Sequence, residues 1–404
     1  MTVETLFDKL NYIANNFTNL REQLSDMLTS DPSINATITP LSELNNKSYL
    51  VKINKINESV VVRQVVKSNE SDMRSHGAEI QKHLATITYK KEIKEVNESF
   101  IEVLPYYPSN PQNHFETLLK KTQDGKAEAL KMAIEMGMIL QDFQNHNWCF
   151  FDAKNSNWLL KDDNSLVIAD TKSLSYFSAT TEKSSISFSN ERIPQSLIDK
   201  ISDQEKFIAV NKQLANDTHV RGLAINLLEL YTGIKLDPET INKITYKYIS
   251  CSEVNTWIQE KMINPHVQDP LLTHLLNECL SEAPPQLDQF IRGLSCINKL
   301  NSINKLNSEL TLPQEAYKSE HIITFINIVY RLTLSKERLL KSGPDKAKRA
   351  IEAFNALSYQ DKLNPKSEAW QNILNQLGVR RSYFCFFKPE SYHEMKTHLI
   401  TKPK

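Results

Sequence analysis

The chain has 404 residues, with basic and acidic side chains equal at 48 each. This length exceeds what a single hydrophobic core holds, so one small domain is excluded and two or more structural units are expected. Residues 333–404 nevertheless carry 14 basic and 7 acidic side chains. That asymmetry suits a phosphate-bearing partner or an anionic membrane, although a solvated basic face has the same composition.

The cysteines and the N-terminus indicate the compartment. Five cysteines, an odd number without a C-x-x-C pair, favour neither a disulfide framework nor a zinc site. The N-terminal MTVETLFDKLNYIANNF lacks the basic start and apolar run of a signal peptide, and no run of about 18 apolar residues occurs elsewhere. We therefore expect a soluble protein of a reducing cytosol that is still able to lie on a membrane surface.

The first elements are predicted from hydrophobic spacing. Apolar residues at helical intervals over 1–28 predict an N-terminal helix that ends before Pro32. The β-branched runs ATIT, SYLVKI and SVVVRQVV within 36–66 predict three antiparallel strands. A helical stretch, HGAEIQKHLA, and an extended segment, FIEVLPYY at 100–107, follow. The next element is a long helix with Leu130, Ile134, Gly137, Leu140 and Phe143 on one face.

A polar stretch follows that helix directly. WCFFDAKNSNWLL, residues 148–160, places polar groups between two hydrophobic runs. SLVIAD at 165–170 predicts a short strand, and the Ser/Thr-rich segment 173–189 predicts a mobile loop. DTHVRGLAINLLELYTG at 217–233 predicts a buried helix that its terminal glycine ends.

The C-terminal part of the chain is predicted to be helical. The hexapeptide INKLNS occurs at 297–302 and again at 303–308, which we interpret as a helical connector or a replication slip. The Gly-Pro pair at 343 is predicted to open one helix, the Asn-Pro pair at 364 to open the next, and Gly378 to end it. A small helical domain is the simplest interpretation.

The polar stretch matches the needs of phosphoryl transfer. That reaction requires a carboxylate to orient the attacking hydroxyl, cations to neutralise charge and oxygen ligands for magnesium. Asp152 would accept the substrate proton, Lys154 would lie beside the transferring phosphate, and Asn157 would bind the metal. Asp170, at the end of the predicted strand, adds a second carboxylate for the metal. The D-x-K-x-x-N spacing by itself also occurs in ordinary polar loops.

The same residues resemble the protein kinase superfamily, whose catalytic loop is H-R-D-L-K-x-x-N and whose metal-binding strand ends in D-F-G. Here these motifs are C-F-F-D-A-K-N-S-N and A-D-T-K, so Phe151 replaces the arginine that normally receives an activation-loop phosphate. The resemblance implies an α+β, bilobal protein-kinase-like fold with a small antiparallel-sheet N-lobe, a helical C-lobe and a C-terminal all-α domain. The implied parts are a helical extension at 1–35, the N-lobe at 36–108, the C-lobe at 109–295, a connector at 296–316 and the C-terminal domain at 317–404.

Nucleotide contacts are implied by the same resemblance. VVVR places Arg63 where V-A-I-K has its phosphate-binding lysine, and Glu79 lies where the carboxylate partner of that lysine is expected. Arg63 is otherwise an exposed strand residue without such a role. PLSELNNKS fills the position of the glycine-rich loop, so Asn45 and Asn46 are the implied phosphate contacts.

Two classes of substrate fit these motifs. PLSELNNKSYLVKI with VVVRQV also resembles choline and aminoglycoside kinases, so a small-molecule kinase is one alternative. Lys154 is typical of protein kinases that act on Ser or Thr, and it favours a protein substrate. Segment 173–189 is either an autophosphorylation site or only a flexible loop.

D-A-K-N-S-N-W-L and I-A-D-T-K-S, in an Asn-rich chain with a basic helical C-terminus, resemble type IV secreted effector kinases of Legionella. These include a kinase that inositol hexakisphosphate activates and that binds phosphatidylinositol 4-phosphate. The resemblance implies ATP, Mg²⁺ or Mn²⁺, inositol hexakisphosphate as activator, and secretion into the host cytosol with peripheral attachment to the pathogen-vacuole membrane. Lys90, Lys91 and Lys94 form either an inositol-phosphate cluster or a solvated helix face. A protein substrate of unknown identity is implied, and no nucleic-acid partner is expected.

The last residues combine basic and aromatic groups. Trp370, Arg380 and Arg381 are the candidate contacts to a lipid headgroup. The consecutive aromatics of RSYFCFF also suit a core strand. A third hypothesis is a pseudokinase adaptor that uses only this module for membrane attachment.

Overall fold

The structure is a computed structural model of the chain, and it describes part of the 404 residues. The described residues are 21–22, 24–26, 36–41, 48–54, 58–66, 78–85, 87, 89–93, 99–107, 125–161, 163–168, 173–177, 184–185, 189–200, 207–236, 251–306, 310–334, 343–379 and 390–400. Of the predicted N-terminal helix, 21–22 and 24–26 are described, and they are helical.

The fold is α+β and divides into two compact units. The first unit comprises 1–114, 142–188 and 203–212, and the second comprises 115–141, 189–202 and 213–404. The strands named below belong to the first unit, and most of the helices belong to the second. Each unit combines segments that are distant in sequence.

The first unit contains a five-stranded sheet in the order β1-β2-β3-β5-β4, with all neighbours antiparallel. Val51, Val62 and Val103 are fully buried and β-branched, which explains why these runs form strands over a core. The three strands predicted within 36–66 are confirmed. The strands are β1 Ala36–Pro40, β2 Ser48–Ile53, β3 Glu58–Val66, β4 Tyr89–Ile93 and β5 Ser99–Pro105.

Three short antiparallel pairs complete the strands of the first unit: β6 with β9, β7 with β8, and β10 with β11. The predicted SLVIAD strand is therefore confirmed as β8. The segment 173–189, predicted to be a mobile loop, contains β9 and β10. Residues 173, 177 and 189 are also described, and the rest of the segment lies outside the described residues. The strands are β6 Trp148–Phe150, β7 Trp158–Leu160, β8 Leu166–Ile168, β9 Leu174–Tyr176, β10 Ser184–Ser185 and β11 Phe207–Ile208.

The first α-helix is the long helix that was predicted around residues 130–143. The predicted buried helix is confirmed as α3, and Gly233, at a φ of 74°, follows its last turn. The helix predicted around Glu79 is a 3-10 helix, Ala78–His83. The first α-helices are α1 Gly125–Asn145, α2 Gln195–Ile198, α3 Lys212–Thr232, α4 Cys251–Ile258 with its π-helical continuation Gln259–Ile263, α5 Asn264–His266 and α6 Pro270–Cys279.

The remaining helices pack around one hydrophobic cluster in the second unit. Phe325, Phe354 and Trp370 form the aromatic part of this cluster, and each is almost completely buried. Helix α7 continues without a break through 296, where a connector was predicted, and Cys296 and Ile303 join the cluster. The helices are α7 Leu287–Leu306, α8 Glu320–Leu334, α9 Gly343–Asn355, α10 Tyr359–Leu363, α11 Trp370–Leu377 and α12 Glu390–Ile400.

Two helix starts were predicted in this region, one at the Gly-Pro pair at 343 and one at the Asn-Pro pair at 364. Helix α9 begins at Gly343, as predicted. The prediction that the Asn-Pro pair opens a helix is wrong, because Asn364 Oδ1 accepts a hydrogen bond from Lys366 N at 3.1 Å and the chain turns there. Helix α11 begins at Trp370 and ends before Gly378.

Two general expectations concern chemistry and membranes. Cys149, Cys251, Cys279 and Cys296 are free thiols, as expected, and Cys385 lies outside the described residues. Among the helices in the described part of the chain, none combines the length and the apolar character needed to cross a bilayer.

Candidate active site

The loop 151–157 is held at both ends by short strand pairs in the first unit. On one side β6 pairs with β9, and Phe151 N donates to Ser173 O at 3.0 Å. On the other side the loop enters β7, where the indole Nε1 of Trp158 donates back to Ala153 O at 3.2 Å. Trp158 is fully buried and packs edge-on against Phe150. The hydrophobic residues that flank the polar stretch therefore fix the loop in place.

Three of the predicted catalytic side chains meet within this loop. Lys154 Nζ lies 2.8 Å from Asp152 Oδ2. Asn157 Nδ2 donates to Asp152 O at 2.7 Å and to Asp152 Oδ2 at 3.0 Å. Asp152 is only 5% exposed and Asn157 only 8%, so both are held in a poorly solvated position where charge-assisted bonds are strong.

The two bonds of Asn157 also determine the orientation of its amide group. Because both bonds use Nδ2, the amide oxygen Oδ1 takes no part in the contact with Asp152. An amide oxygen is a suitable ligand for Mg²⁺ or Mn²⁺. The geometry of Asn157 therefore fits the metal role predicted for it.

The second predicted metal ligand, Asp170, lies outside the described residues. The strand that leads to it is described: Ile168 pairs with Trp158, at the start of β7 and directly after Asn157. Strand β8 therefore ends beside the residue that follows Asn157. Within the described residues, no group of three His, Cys, Asp or Glu side chains is placed to hold a metal ion.

Arg63 has a different partner from the predicted one. Its Nε and Nη2 both lie 2.9 Å from Oε2 of Glu102, on β5, and the two residues face each other across the β3–β5 pair. Glu102 is 4% exposed, whereas Glu79 is exposed on the 3-10 helix. The expected Arg63–Glu79 pair is thus replaced by a cross-strand pair between the partly buried Arg63 and the buried Glu102.

The sequence interpretation missed a polar cluster that joins the 3-10 helix to α1. Asp142 Oδ2 lies 2.7 Å from both Lys82 Nζ and His83 Nε2. Burial alone would raise the pKa of Asp142, but hydrogen bonds from Lys82 and His83 lower it below its ordinary value. Nothing in the local sequence relates residues so far apart, so only the folded chain shows this cluster.

The remaining predicted residues divide into two groups. Trp370 is wrong as a lipid contact, because it is 1% exposed and donates its Nε1 hydrogen to Asp361 O at 2.9 Å. Lys90 and Lys91 lie on the edge strand β4, not on a helix. The predicted residues outside the described part are Asn45, Asn46, Lys94, Asp170, Arg380 and Arg381.

Comparison with known proteins adds no assignment. No family model matches the chain, and no curated protein matches it.

Proposed function

We propose that the chain is an ATP-dependent protein kinase with a bilobal kinase-like fold that phosphorylates Ser or Thr. The observation that supports this most strongly is the buried arrangement of Asp152, Lys154 and Asn157 on one anchored loop. An ordinary polar loop has no need for a carboxylate that is only 5% exposed and contacts both an ammonium and a carboxamide.

Each side chain has a separate task in this reaction. Asp152 orients the substrate hydroxyl and accepts its proton as the new oxygen–phosphorus bond forms and ADP leaves. Lys154, beside Asp152, contributes positive charge where negative charge develops on the transferring group. Arg63, held by Glu102, would contact the nucleotide.

Asn157 Oδ1 and Asp170 would hold Mg²⁺ or Mn²⁺, which, when bound, neutralises charge on the nucleotide phosphates. Asp170 is two positions after Ile168, with Ala169 between them, which limits the distance between the Cα atoms of Ile168 and Asp170 to about 7 Å. Since Ile168 is paired with the residue after Asn157, this short tether supports a common metal for Asn157 and Asp170.

Recruitment to membranes that contain phosphatidylinositol 4-phosphate and activation by inositol hexakisphosphate are further parts of the proposal. The basic excess of residues 333–404 supports an anionic partner for the C-terminal part. With Trp370 buried, the candidate headgroup contacts are Arg380 and Arg381. Such attachment would place the protein at the cytosolic face of a host membrane, as in the effector kinases that it resembles.

The test is transfer of labelled phosphate from ATP by the full chain, with Mg²⁺ or Mn²⁺ and with or without inositol hexakisphosphate. Generic protein substrates are compared with choline and aminoglycosides. Asp152→Asn should abolish protein labelling, whereas Asp288→Asn, which changes an exposed carboxylate on α7, should retain it. Labelling of the small molecules instead would establish the alternative kinase class, and lipid attachment without any labelling would establish the adaptor.

A further inference from the structure

The second unit contains a pocket that the proposed reaction does not use. It lies between the beginnings of α3 and α4 and the segment after α6, and its volume is about 170 Å³. The lining residues that matter here are Asp217, Arg221, Cys251, Asn255 and Glu282. Drug-sized ligands occupy pockets of about 300–1,000 Å³, so this one suits a small molecule and is too small for inositol hexakisphosphate.

Arg221 gives this pocket its chemical character. The side chain belongs to a residue that is 3% exposed, and its Nη1 donates to Asn255 Oδ1 at 2.7 Å. Its Nε and Nη2 are buried and have no hydrogen-bond partner among the described residues. A guanidinium stays charged at neutral pH, and burying it with unused donors is costly unless an anion accepts from them.

The unused donors have a specific geometry. Nε and Nη2 lie on the same edge of the planar guanidinium, and their hydrogens point in parallel. This is the edge that binds two oxygens of one carboxylate or phosphate side-on. The acceptor that Arg221 lacks is therefore an oxyanion with two oxygens on one centre.

The groups around Arg221 do not supply that oxyanion. The two carboxylate oxygens of Asp217 accept from Ser196 Oγ at 2.9 Å and from Gln213 Nε2 at 2.7 Å. Cys251 does not supply a thiolate, because burial raises the pKa of its thiol. Glu282 is exposed, so its charge is screened by solvent.

A second buried arginine lies close enough to act on Arg221 electrostatically. Burial lowers the pKa of Arg221; to a smaller extent the neighbouring Cys251 raises it and the charge of Arg192 lowers it. Arg192 itself is neutralised by Glu229. The protein thus provides a carboxylate for one buried arginine and leaves the other without one among the described residues.

We propose that the Arg221 pocket binds a small soluble oxyanion, either inorganic phosphate or the phosphate or carboxylate group of a small metabolite. Nε and Nη2 have almost no accessible surface, so the anion would reach them through a small movement of the pocket lining, and Arg221 would then hold two of its oxygens through these atoms. Occupancy neutralises the buried charge and ties α3 to α4, which supply Arg221 and Asn255. The pocket is a ligand site of the second unit that is separate from the catalytic loop.

The test is the thermal stability of the full chain in titrations with sodium phosphate and with sodium acetate at constant ionic strength. Phosphate probes a tetrahedral oxyanion and acetate a planar one. At least one probe should raise the Tm in a saturable way, because a ligand that binds only the folded chain stabilises it. Arg221→Met should weaken the apparent affinity at least tenfold, whereas Arg331→Met, at an exposed arginine of α8, should leave it unchanged.

Two further variants keep the test decisive. Arg221→Lys retains the buried charge but not the paired donors, so it should bind the anion several-fold more weakly if Arg221→Met does not fold. Lys154→Met should bind the probe as the natural chain does, whereas an anion held at the catalytic loop would lose affinity with Lys154, and this separates the pocket from the catalytic loop. Equal stabilisation of the natural chain and both Arg221 variants, or no saturable effect of either probe, would overturn the proposal.

Discussion

Among single residues, the loop 151–157 depends on side chains that hold one another. Asn157 donates to both the backbone and the carboxylate of Asp152, and Lys154 approaches the same carboxylate oxygen. The carboxylate of Asp152 thus keeps one orientation without a bound substrate. In the proposed phosphoryl transfer, preorganisation of this kind would lower the cost of reaching the transition state.

Lys154 provides a direct test of this arrangement, because its side chain is 34% exposed and carries little of the packing. Lys154→Met removes the charge but nearly keeps the shape. We predict a loss in kcat of roughly 10²–10³-fold, as for other lost donors to developing charge, and a loss of roughly 1 kcal/mol in the free energy of unfolding, because the buried Asp152 loses a charged partner. Phosphate transfer and urea denaturation measure the two quantities. Lys131→Met, on α1, is the control, and equal activity of the two variants would remove Lys154 from the reaction.

His219 gives the protein a specific dependence of stability on pH. It is fully buried in α3, and burial lowers its pKa from 6.5 to about 3. Between pH 6.5 and about 3, the unfolded chain therefore binds a proton at His219 that the folded chain does not. The free energy of unfolding thus falls as the pH drops below about 6.5, by up to about 1.4 kcal/mol per pH unit.

Replacing His219 should remove that dependence. We predict that His219→Leu loses less stability between pH 7 and pH 5 than the natural chain, as measured by urea denaturation at both values. His393→Gln, at an exposed histidine of α12, should behave as the natural chain does. The same loss in all three proteins would show that the burial of His219 carries no such penalty.

At the scale of elements, local signals predicted the structure where the physical cause is local. The β-branched runs within 36–66 form β1 to β3, and the glycine after α3 ends that helix. The prediction of a helix start at the Asn-Pro pair at 364 is wrong because a side-chain hydrogen bond forms a turn there.

The same local signals do not predict which residues pair when they are distant in the sequence. Glu102 became the partner of Arg63 because β5, and not β4, lies next to β3. That strand order depends on the whole sheet, so the sequence around Glu79 does not predict it. The loop residues 152, 154 and 157 were predictable because the three lie within six consecutive positions, whereas the cluster of Asp142 with Lys82 and His83 was not.

Substitutions of Gly233 test whether its backbone conformation is what ends α3. Its N–H donates to Glu229 O at 2.9 Å at a φ of 74°, and a Cβ there would meet no atom within 4 Å. Gly233→Ala should therefore lower the free energy of unfolding by about 1–2 kcal/mol through backbone strain alone. Gly233→Asn should lose less, because Asn tolerates this conformation. Equal losses measured by urea denaturation would mean that the backbone conformation is not the cause.

At the scale of the whole molecule, the C-terminal helices form one packed cluster and are not a detachable tail. A deletion from 333 would cut the end of α8 and remove Phe354 and Trp370 from around Phe325. Loss of two such buried aromatic residues destabilises a core by several kcal/mol. Membrane attachment therefore has to be tested with point substitutions.

The double variant Arg380→Gln with Arg381→Gln should bind vesicles containing phosphatidylinositol 4-phosphate at least tenfold more weakly in a sedimentation assay, since each basic side chain near such a surface contributes about 1 kcal/mol. A variant with Arg331→Gln and Lys348→Gln makes the same change of charge at exposed positions of α8 and α9. It should bind as the natural chain does. If both variants lose the same affinity, attachment depends on net charge and not on a headgroup site.

Calorimetric titration of the full chain with ATP tests the proposal that Asn157 and Asp170 hold one divalent ion beside a nucleotide and next to Asp152. Binding of ATP should require Mg²⁺ or Mn²⁺. Asp170→Ala should abolish this binding without changing the unfolding transition, and the exposed-site variant Asp288→Asn should retain it. Metal-dependent binding of undiminished affinity by Asp170→Ala, or no metal-dependent binding by the natural chain, would remove the shared ion from the site.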